Sequence, residues 1–431
     1  MGAAEPTRGK LLRFVTAGSV DDGKSTLIGR LLHDSKGLFA DQLRAVESTS
    51  RRRGFGGIDL SLVTDGLLSE REQGITIDVA YRYFATPRRK FIIGDSPGHL
   101  QYTRNMVTAA STADLAILLV DARSGIVEQT RRHAYLAHWL GVPQLVLAVN
   151  KMDLVGWDRE RFEAIRDAFT TLARSLDFAG QLAIPISALE GDNVVDRGDA
   201  ATWYRGPTLL EHLERVPAAT AALLAPFRMP VQRVLRIAGD NAQRGSGFEG
   251  TRFRGYQGTV ASGALSVGAE VVAVPGTQRA RVQRLIGACG EVERAVTGDA
   301  LTVELDREID LSRGDLLAAP EQPPSSLRAV DADLCWFDAE PLDPARSYLL
   351  KQGSATVRAR VDGIEHRVDI ERLQPIASDR PFVMNDIGRV RLKLHKPIAV
   401  DDYRDNRTLG ALILIDELSN RTVAAGTIRA S

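Results

Sequence analysis

Apolar residues follow two rhythms along this chain. Over the first half, short aliphatic runs (Leu11 to Ala17, Phe91 to Gly94, Asp114 to Val120, Leu145 to Asn150 and Leu182 to Ile186) alternate with longer stretches of helical period. A run that is apolar at successive positions has both faces buried, so these segments predict a parallel sheet covered by helices on both sides. After Asp158, the residues Phe162, Ile165, Phe169, Leu172 and Leu176 recur three or four apart, which places them on one stripe of a helix. Past the Ala-rich connector Pro217 to Pro226 the runs shorten and are punctuated by Gly and Pro. That texture predicts antiparallel β structure in small barrels. A second break, Pro320 to Ser326, divides this half in two. The expected organisation is an α/β domain with a mostly parallel sheet over 1–218, then two β-barrel domains over 226–320 and 325–431.

Composition narrows the function classes. The 431 residues are 44% hydrophobic and 26% charged, ordinary values for a folded globular chain. Lys plus Arg (55) equal Asp plus Glu (55), so no bulk field draws the protein to nucleic acid or to an anionic membrane, and any polyanion must be met by a local site. Cys289 and Cys335 form no CxxC or Cys/His pattern, which fits a reducing cytoplasm. The longest apolar run, Leu115 to Val120, is far short of a membrane span, and Met1 to Lys10 lacks the apolar stretch of a signal peptide. The expectation is a cytoplasmic protein.

The chemistry opens at the end of the first strand. Gly18-Ser19-Val20-Asp21-Asp22-Gly23-Lys24-Ser25, followed by Thr26 and a helical run, fits G-x-x-x-x-G-K-[ST]. In such a loop, backbone N–H groups curl around phosphate oxygens, Lys24 neutralises the outer phosphates and the Ser25 hydroxyl is offered to Mg²⁺. Asp95-Ser96-Pro97-Gly98-His99 ends another strand, placing a carboxylate where it holds Mg²⁺ through water and the Gly98 N–H where it senses a γ-phosphate. Asn150-Lys151-Met152-Asp153 ends a third strand, at the edge where ligands of such sheets collect. The Asp153 carboxylate accepts from guanine N1–H and the 2-amino group, donors that adenine lacks at those positions. Ser187-Ala188-Leu189, after the last strand of this half, offers backbone N–H to guanine O6. Gly74-Ile75-Thr76 lies between the phosphate loop and Asp95, where a switch threonine completes the Mg²⁺ shell once a γ-phosphate is present.

That ordered set resembles the translation-factor class of P-loop GTPases, in which a histidine follows the Asp-x-x-Gly motif as His99 does here. The resemblance implies that His99 is catalytic, with Val20 and Ile75 as a hydrophobic gate on either side of it. Elongation factors Tu and 1A carry His in the phosphate loop where this chain has Ser19 and Asp22. Gly18 to Leu32 looks instead like the GTPase subunit of bacterial two-subunit ATP sulfurylase. So do Gly191 to Val195, Trp203 to Leu210, Gly255 to Gly263, Ser312 to Asp315, Asp402 to Gly410 and Asn420 to Gly426. This resemblance spans about residues 11 to 429 and implies a GTPase domain followed by two β-barrels, using GTP and Mg²⁺. It also implies a heterodimer with a separate adenylyltransferase subunit, which makes adenosine 5′-phosphosulfate and pyrophosphate from ATP and sulfate. The chain's own residues agree that adenylyl transfer happens elsewhere, because none of its seven histidines forms an HxxH or HxGH pair and it holds one phosphate loop. Family members fused to an adenylylsulfate kinase carry a second such loop after this point. The alternative from another class is an elongation factor-like GTPase that binds aminoacyl-tRNA, a role that wants a basic groove and that neutral charge does not favour.

Three features stay open at this level. Arg51-Arg52-Arg53 reads as a solvated switch loop, with contact to the partner as the sharper alternative. Asp21 either binds a monovalent cation or caps the turn. Asn406 and Arg407 match the family's third domain, and a turn between strands explains them equally well.

Overall fold

The computed structural model describes residues 11–37, 40–52, 58–63, 79–97, 103–217, 221–237, 253–378 and 380–429. The chain divides into two compact units, Met1–Ala219 with Asp369–Gln374, and Thr220–Val368 with Pro375–Ser431.

In the first unit, β1 (Leu11–Gly18), β2 (Ala80–Ala85), β3 (Lys90–Asp95), β4 (Leu115–Asp121), β5 (Gln144–Asn150) and β6 (Gly180–Pro185) form one sheet in the order β2-β3-β1-β4-β5-β6. β3, β1, β4, β5 and β6 run parallel, as continuous apolar runs require, and the edge strand β2 runs antiparallel to β3. Strand β2 lies outside the apolar runs that mark the other strands in the sequence. It alternates rather than running apolar, with Phe84 buried and Tyr81 and Tyr83 exposed, and a tight turn closed by the Thr86 N–H on Arg89 O joins it to β3. Antiparallel neighbours need no more than such a turn.

Helices α1 (Lys24–Asp34), α2 (Ala40–Arg52), α3 (Thr103–Ala110), α4 (Glu128–Trp139), α5 (Arg159–Ser175) and α6 (Leu209–Arg215) accompany the sheet. One core joins Leu12 and Phe14 of β1, Leu27, Ile28 and Leu31 of α1, Leu119 of β4, Val146 of β5 and Leu213 of α6. The helix expected after Asp158 is α5, with Phe162, Ile165, Phe169 and Leu172 buried and Asp158 accepting from the N–H groups of Glu160 and Arg161 as its N-cap. Arg51 and Arg52 correct the sequence reading: they end helix α2 rather than lying in a loop, because Ala40 to Glu47 is rich in good helix formers, while Arg53 lies outside the described residues. β1 has β3 on one side and β4 on the other, so the chain switches sides at the C-terminal end of β1, where the loop after Gly18 begins.

Among the described residues the second unit holds two large antiparallel sheets, each with its own core, and a two-stranded antiparallel ribbon, Ala264–Ser266 with Arg294–Val296. Phe227, Met229, Tyr256, Val271, Leu285, Val303 and Leu317 fill the first, and Arg228 bridges to Ser262 just beyond the strand Phe253–Thr259, drawing that sheet round. In the second, Tyr348–Gln352 pairs with both Ala355–Asp369 and Ala411–Asp416, which closes a barrel around Leu334, Trp336, Leu350, Val390 and Leu414. A small apolar cluster of Val272, Val274, Leu316 and Ala318 with Ala399 and Leu409 joins the two sheets. Beside it, buried Arg228 donates to both carboxylate oxygens of Asp401 at 3.0 and 3.2 Å. Asn406 caps the N–H groups of Thr408 and Leu409 and also donates from Nδ2 to Ser262 Oγ at 3.2 Å. It is thus both a turn residue and a link between the sheets.

Candidate functional site

The loop leaving β1 turns through two left-handed residues, Asp21 (φ 65°) and Gly23 (φ 91°). Only glycine suits the second, because a Cβ on Gly23 would lie 2.4 Å from Asn150 Nδ2 as well as adopting a costly φ. Asp22 braces the loop from inside: its Oδ2 accepts the Ser19 N–H at 2.5 Å, and burial pushes its carboxyl pKa up while that bond and Lys24 pull it back. Lys24, only 8% exposed, donates from Nζ to the carbonyl oxygens of Gly18 (3.0 Å) and Ser19 (2.7 Å). Burial lowers its pKa, and the carboxylates of Asp95, Asp22 and Asp21 push it back up. A buried ammonium resting on two carbonyls keeps a third N–H for an anion.

Asp95 ends β3 in register with Thr16 of β1, is buried, and receives the Thr16 Oγ1 hydroxyl at 3.4 Å. Ser25 stands in the first turn of α1, half-buried, and Thr26 follows it. One hydroxyl and one carboxylate are hard oxygen donors that suit Mg²⁺, an ion that commonly takes its remaining ligands from phosphates and water. Among the described residues no cluster of three or more His, Cys, Asp or Glu forms an all-protein cage.

The base side is built at the ends of β5 and β6. Asn150 donates from Nδ2 to Asp22 O at 2.8 Å and accepts the Ala188 N–H on Oδ1 at 2.9 Å, so it joins the phosphate loop to the loop after β6. Lys151, itself at φ 61°, donates from Nζ to Asp21 O at 2.5 Å and pairs with Asp121 at 3.1 Å. The Asp121 carboxyl is held well below the usual range, first by the Arg123 side chain and then by Lys151. The next carboxylate, Asp153, differs: its Oδ1 is buried and has no donor among the described residues. A buried acceptor left without a donor costs about 1–3 kcal/mol, and guanine carries the two N–H donors that would meet it. Ser187 N–H is taken by Asp192 O at 3.2 Å and Ala188 N–H by Asn150, so of the three N–H groups expected to face guanine O6 only that of Leu189 has no acceptor among the described residues.

The structure therefore brings together Gly18 to Thr26, Asp95, Asn150, Lys151, Asp153 and Ser187 to Leu189 at one edge of the sheet. Val20 of the expected gate is 41% exposed on the phosphate loop. Ile75, Thr76, Gly98 and His99 lie outside the described residues. Sequence reasoning missed the bracing roles of Asp22 and Asp121. Both acids are legible as strand-end or loop residues, but the N–H groups and cations they hold are set by the fold.

Residues 9–219 match the elongation factor Tu GTP binding domain, and residues 329–429 match the GTP-eEF1A C-terminal domain-like family. The chain is 52% identical over 419 residues to the bifunctional enzyme CysN/CysC of Mycobacterium tuberculosis, covering 97% of this chain and 67% of that one. It is 51% identical over 421 residues to sulfate adenylyltransferase subunit 1 of Chromobacterium violaceum, covering 97% and 86%. With the bifunctional enzyme NodQ of a Rhizobium species it shares 49% identity over 420 residues, covering 97% and 63%. A GTP-binding domain of the elongation factor Tu type that uses GTP and Mg²⁺, followed by antiparallel barrels and matched nearly end to end, places the chain in the family of sulfate adenylyltransferase subunit 1.

Proposed function

We propose that this chain hydrolyses GTP to drive adenylyl transfer from ATP to sulfate on a separate adenylyltransferase subunit, with which it forms a heterodimer in the cytoplasm. The relatives named as subunit 1 support a two-subunit enzyme. No helix among the described residues is long and apolar enough to cross a membrane, and both cysteines are free. The observation that carries the nucleotide assignment is the buried Oδ1 of Asp153, which has no donor among the described residues, on a segment tied through Asn150 and Lys151 to the phosphate loop.

In this reading the N–H groups of Gly18 to Thr26 wrap the phosphates, and Lys24 turns its Nζ from the loop carbonyls toward them. Ser25, Thr76 and Asp95 serve Mg²⁺, Asp95 through water, and that ion would offset charge on the transferring phosphoryl group. Asp153 selects guanine, Asn150 and Lys151 hold the two loops in register, and Leu189 N–H meets O6. His99 orients the attacking water beside Gly98, with Val20 and Ile75 flanking it. Condensing sulfate with ATP is uphill because the phosphosulfate anhydride is less stable than the bond it replaces, and GTP hydrolysis supplies the drive. The finer division of the second unit into domains 226–320 and 325–431 is supported by its two separate cores. The test is pyrophosphate release from ATP plus sulfate by this chain with an adenylyltransferase subunit. GTP should carry the yield past the level reached without it, and equal yields with and without GTP would refute the coupling.

A further inference from the structure

The loop Ser187 to Leu189 is held one peptide plane at a time. Ser187 N–H donates to Asp192 O at 3.2 Å, Ser187 O accepts the Gly191 N–H at 2.8 Å, Ala188 N–H donates to Asn150 Oδ1 at 2.9 Å and Glu190 N–H donates to Ser187 Oγ at 3.2 Å. The plane between Ala188 and Leu189 is gripped from α1. Arg30, in the second turn of α1, donates its Nε–H to Ala188 O at 3.2 Å and a terminal N–H to Leu189 O. In a trans peptide the C=O and the N–H that follows it point in opposite directions. Holding Ala188 O toward α1 therefore turns the Leu189 N–H away from α1, and that N–H has no acceptor among the described residues.

The grip itself is built. Gly191 (φ 99°) lies beside the Arg30 stem, where an added Cβ would stand 3.4 Å from Arg30 Cδ. The remaining Arg30 nitrogen lies 3.6 Å from Asp34 Oδ1, the oxygen that His33 Nδ1 also contacts at 2.7 Å. A rigid guanidinium fork reaches two carbonyls and a carboxylate at once, which a lysine ammonium on a flexible stem does not reproduce.

We propose that Arg30 is a positioning residue for guanine recognition: through it the helix that begins at the phosphate loop sets the direction of the one N–H in the 187–189 loop left to meet O6. The inference rests on the guanine-site reading above and adds to it a link between α1 and the base loop that bypasses Asn150.

The test uses the full chain, with affinities for GDP and 6-thio-GDP measured by competition. The thio analogue keeps N1–H and the 2-amino group but offers a poor acceptor at position 6. Wild type should prefer GDP, and both Arg30→Met and Arg30→Lys should reduce that preference by roughly 2 to 10-fold through weaker GDP binding, with 6-thio-GDP changed less than two-fold. The lysine variant keeps charge and stem, so it serves where the methionine variant does not fold. A role confined to folding would weaken both nucleotides alike and leave the ratio untouched, which would overturn the proposal, as would a wild type with no preference. Asp153→Asn in the Arg30 background of the natural chain separates the two readings. Failure to shift preference toward xanthosine diphosphate removes the guanine site and this proposal together, whereas a clear shift beside an unchanged thio ratio removes Arg30 alone.

Discussion

Asn150 donates from Nδ2 to the carbonyl oxygen of Asp22, 2.8 Å away across 128 residues of sequence, and in doing so ties the end of β5 to the loop after β1. The same side chain accepts the Ala188 N–H on Oδ1, so both of its polar ends are engaged within the protein. The residue therefore holds two loops in place, and in the proposed site it acts on nucleotide binding through them.

Asn150→Ala should accordingly weaken GDP and GTP alike. It leaves Asp22 O and Ala188 N–H without partners in a buried setting, at about 1–3 kcal/mol each, so affinity should drop at least 5 to 150-fold. Titration with a fluorescent GDP analogue measures this, and a variant that favours one of the two nucleotides would contradict the strut.

For the base itself, Asp153→Asn should lose GTP and gain xanthosine triphosphate, whose C2 oxygen accepts from the new amide. The loss for GTP should be roughly 5 to 150-fold. GTP affinity equal to that of the natural chain would take Asp153 out of the guanine site.

On the phosphates, Lys24→Ala should abolish tight binding of GTP, because it removes the buried cation of the loop. Thr76→Ala should spare GDP and weaken only the Mg²⁺-GTP state, since a switch threonine engages when the γ-phosphate is present. Equal losses for GDP and GTP in the Thr76 variant would count against a switch role.

His133 on α4 makes an acid-stability prediction. It is buried, and burial first, then the nearby charges of Lys24 and Arg132, take its imidazole down to about 3 from an ordinary 6.5. A histidine held neutral in the fold binds its proton more readily when unfolded. The stability it contributes is thus complete above pH 6.5 and is lost as pH falls from there toward 3. At pH 5 the loss relative to pH 7.5 should be about 2 kcal/mol. Unfolding free energies from urea titration at the two pH values should converge in His133→Gln by about that amount, and an unchanged pH slope would show that the imidazole is not kept neutral.

In the proposed function His99 is the catalytic group, a side chain able to hold water in line with the γ-phosphate without taking its proton outright. His99→Ala should keep nucleotide affinity within a few-fold and lower GTP turnover by roughly 10² or more. The complex with its adenylyltransferase subunit should then fail to drive adenylylsulfate past the level that ATP and sulfate reach unaided. Hydrolysis by the variant at the natural rate would assign the water to another group.

The sequence by itself determined whatever depends on neighbours along the chain. Strands β1, β4 and β5 were legible because apolar residues at successive positions have no other way to bury both faces. The phosphate loop was legible because Gly23, Lys24 and Ser25 work through the geometry of eight consecutive residues, the candidate roles of Asp153 and Thr76 followed from chemistry at fixed spacing, and that of His99 came from the family resemblance. Only the tertiary structure decided which polar groups are already engaged. Asn150 spends both ends on partners in other loops, Ser187 and Ala188 give their N–H groups to the fold, and Arg30 reaches a loop 158 residues away. The edge strand β2 exists because a short turn folds it back on β3, and Asn406 links two sheets through Ser262, 144 residues earlier. Such partners depend on where the sheets carry distant strand ends, and a hydrogen bond has a reach of about 3 Å whatever the separation along the chain.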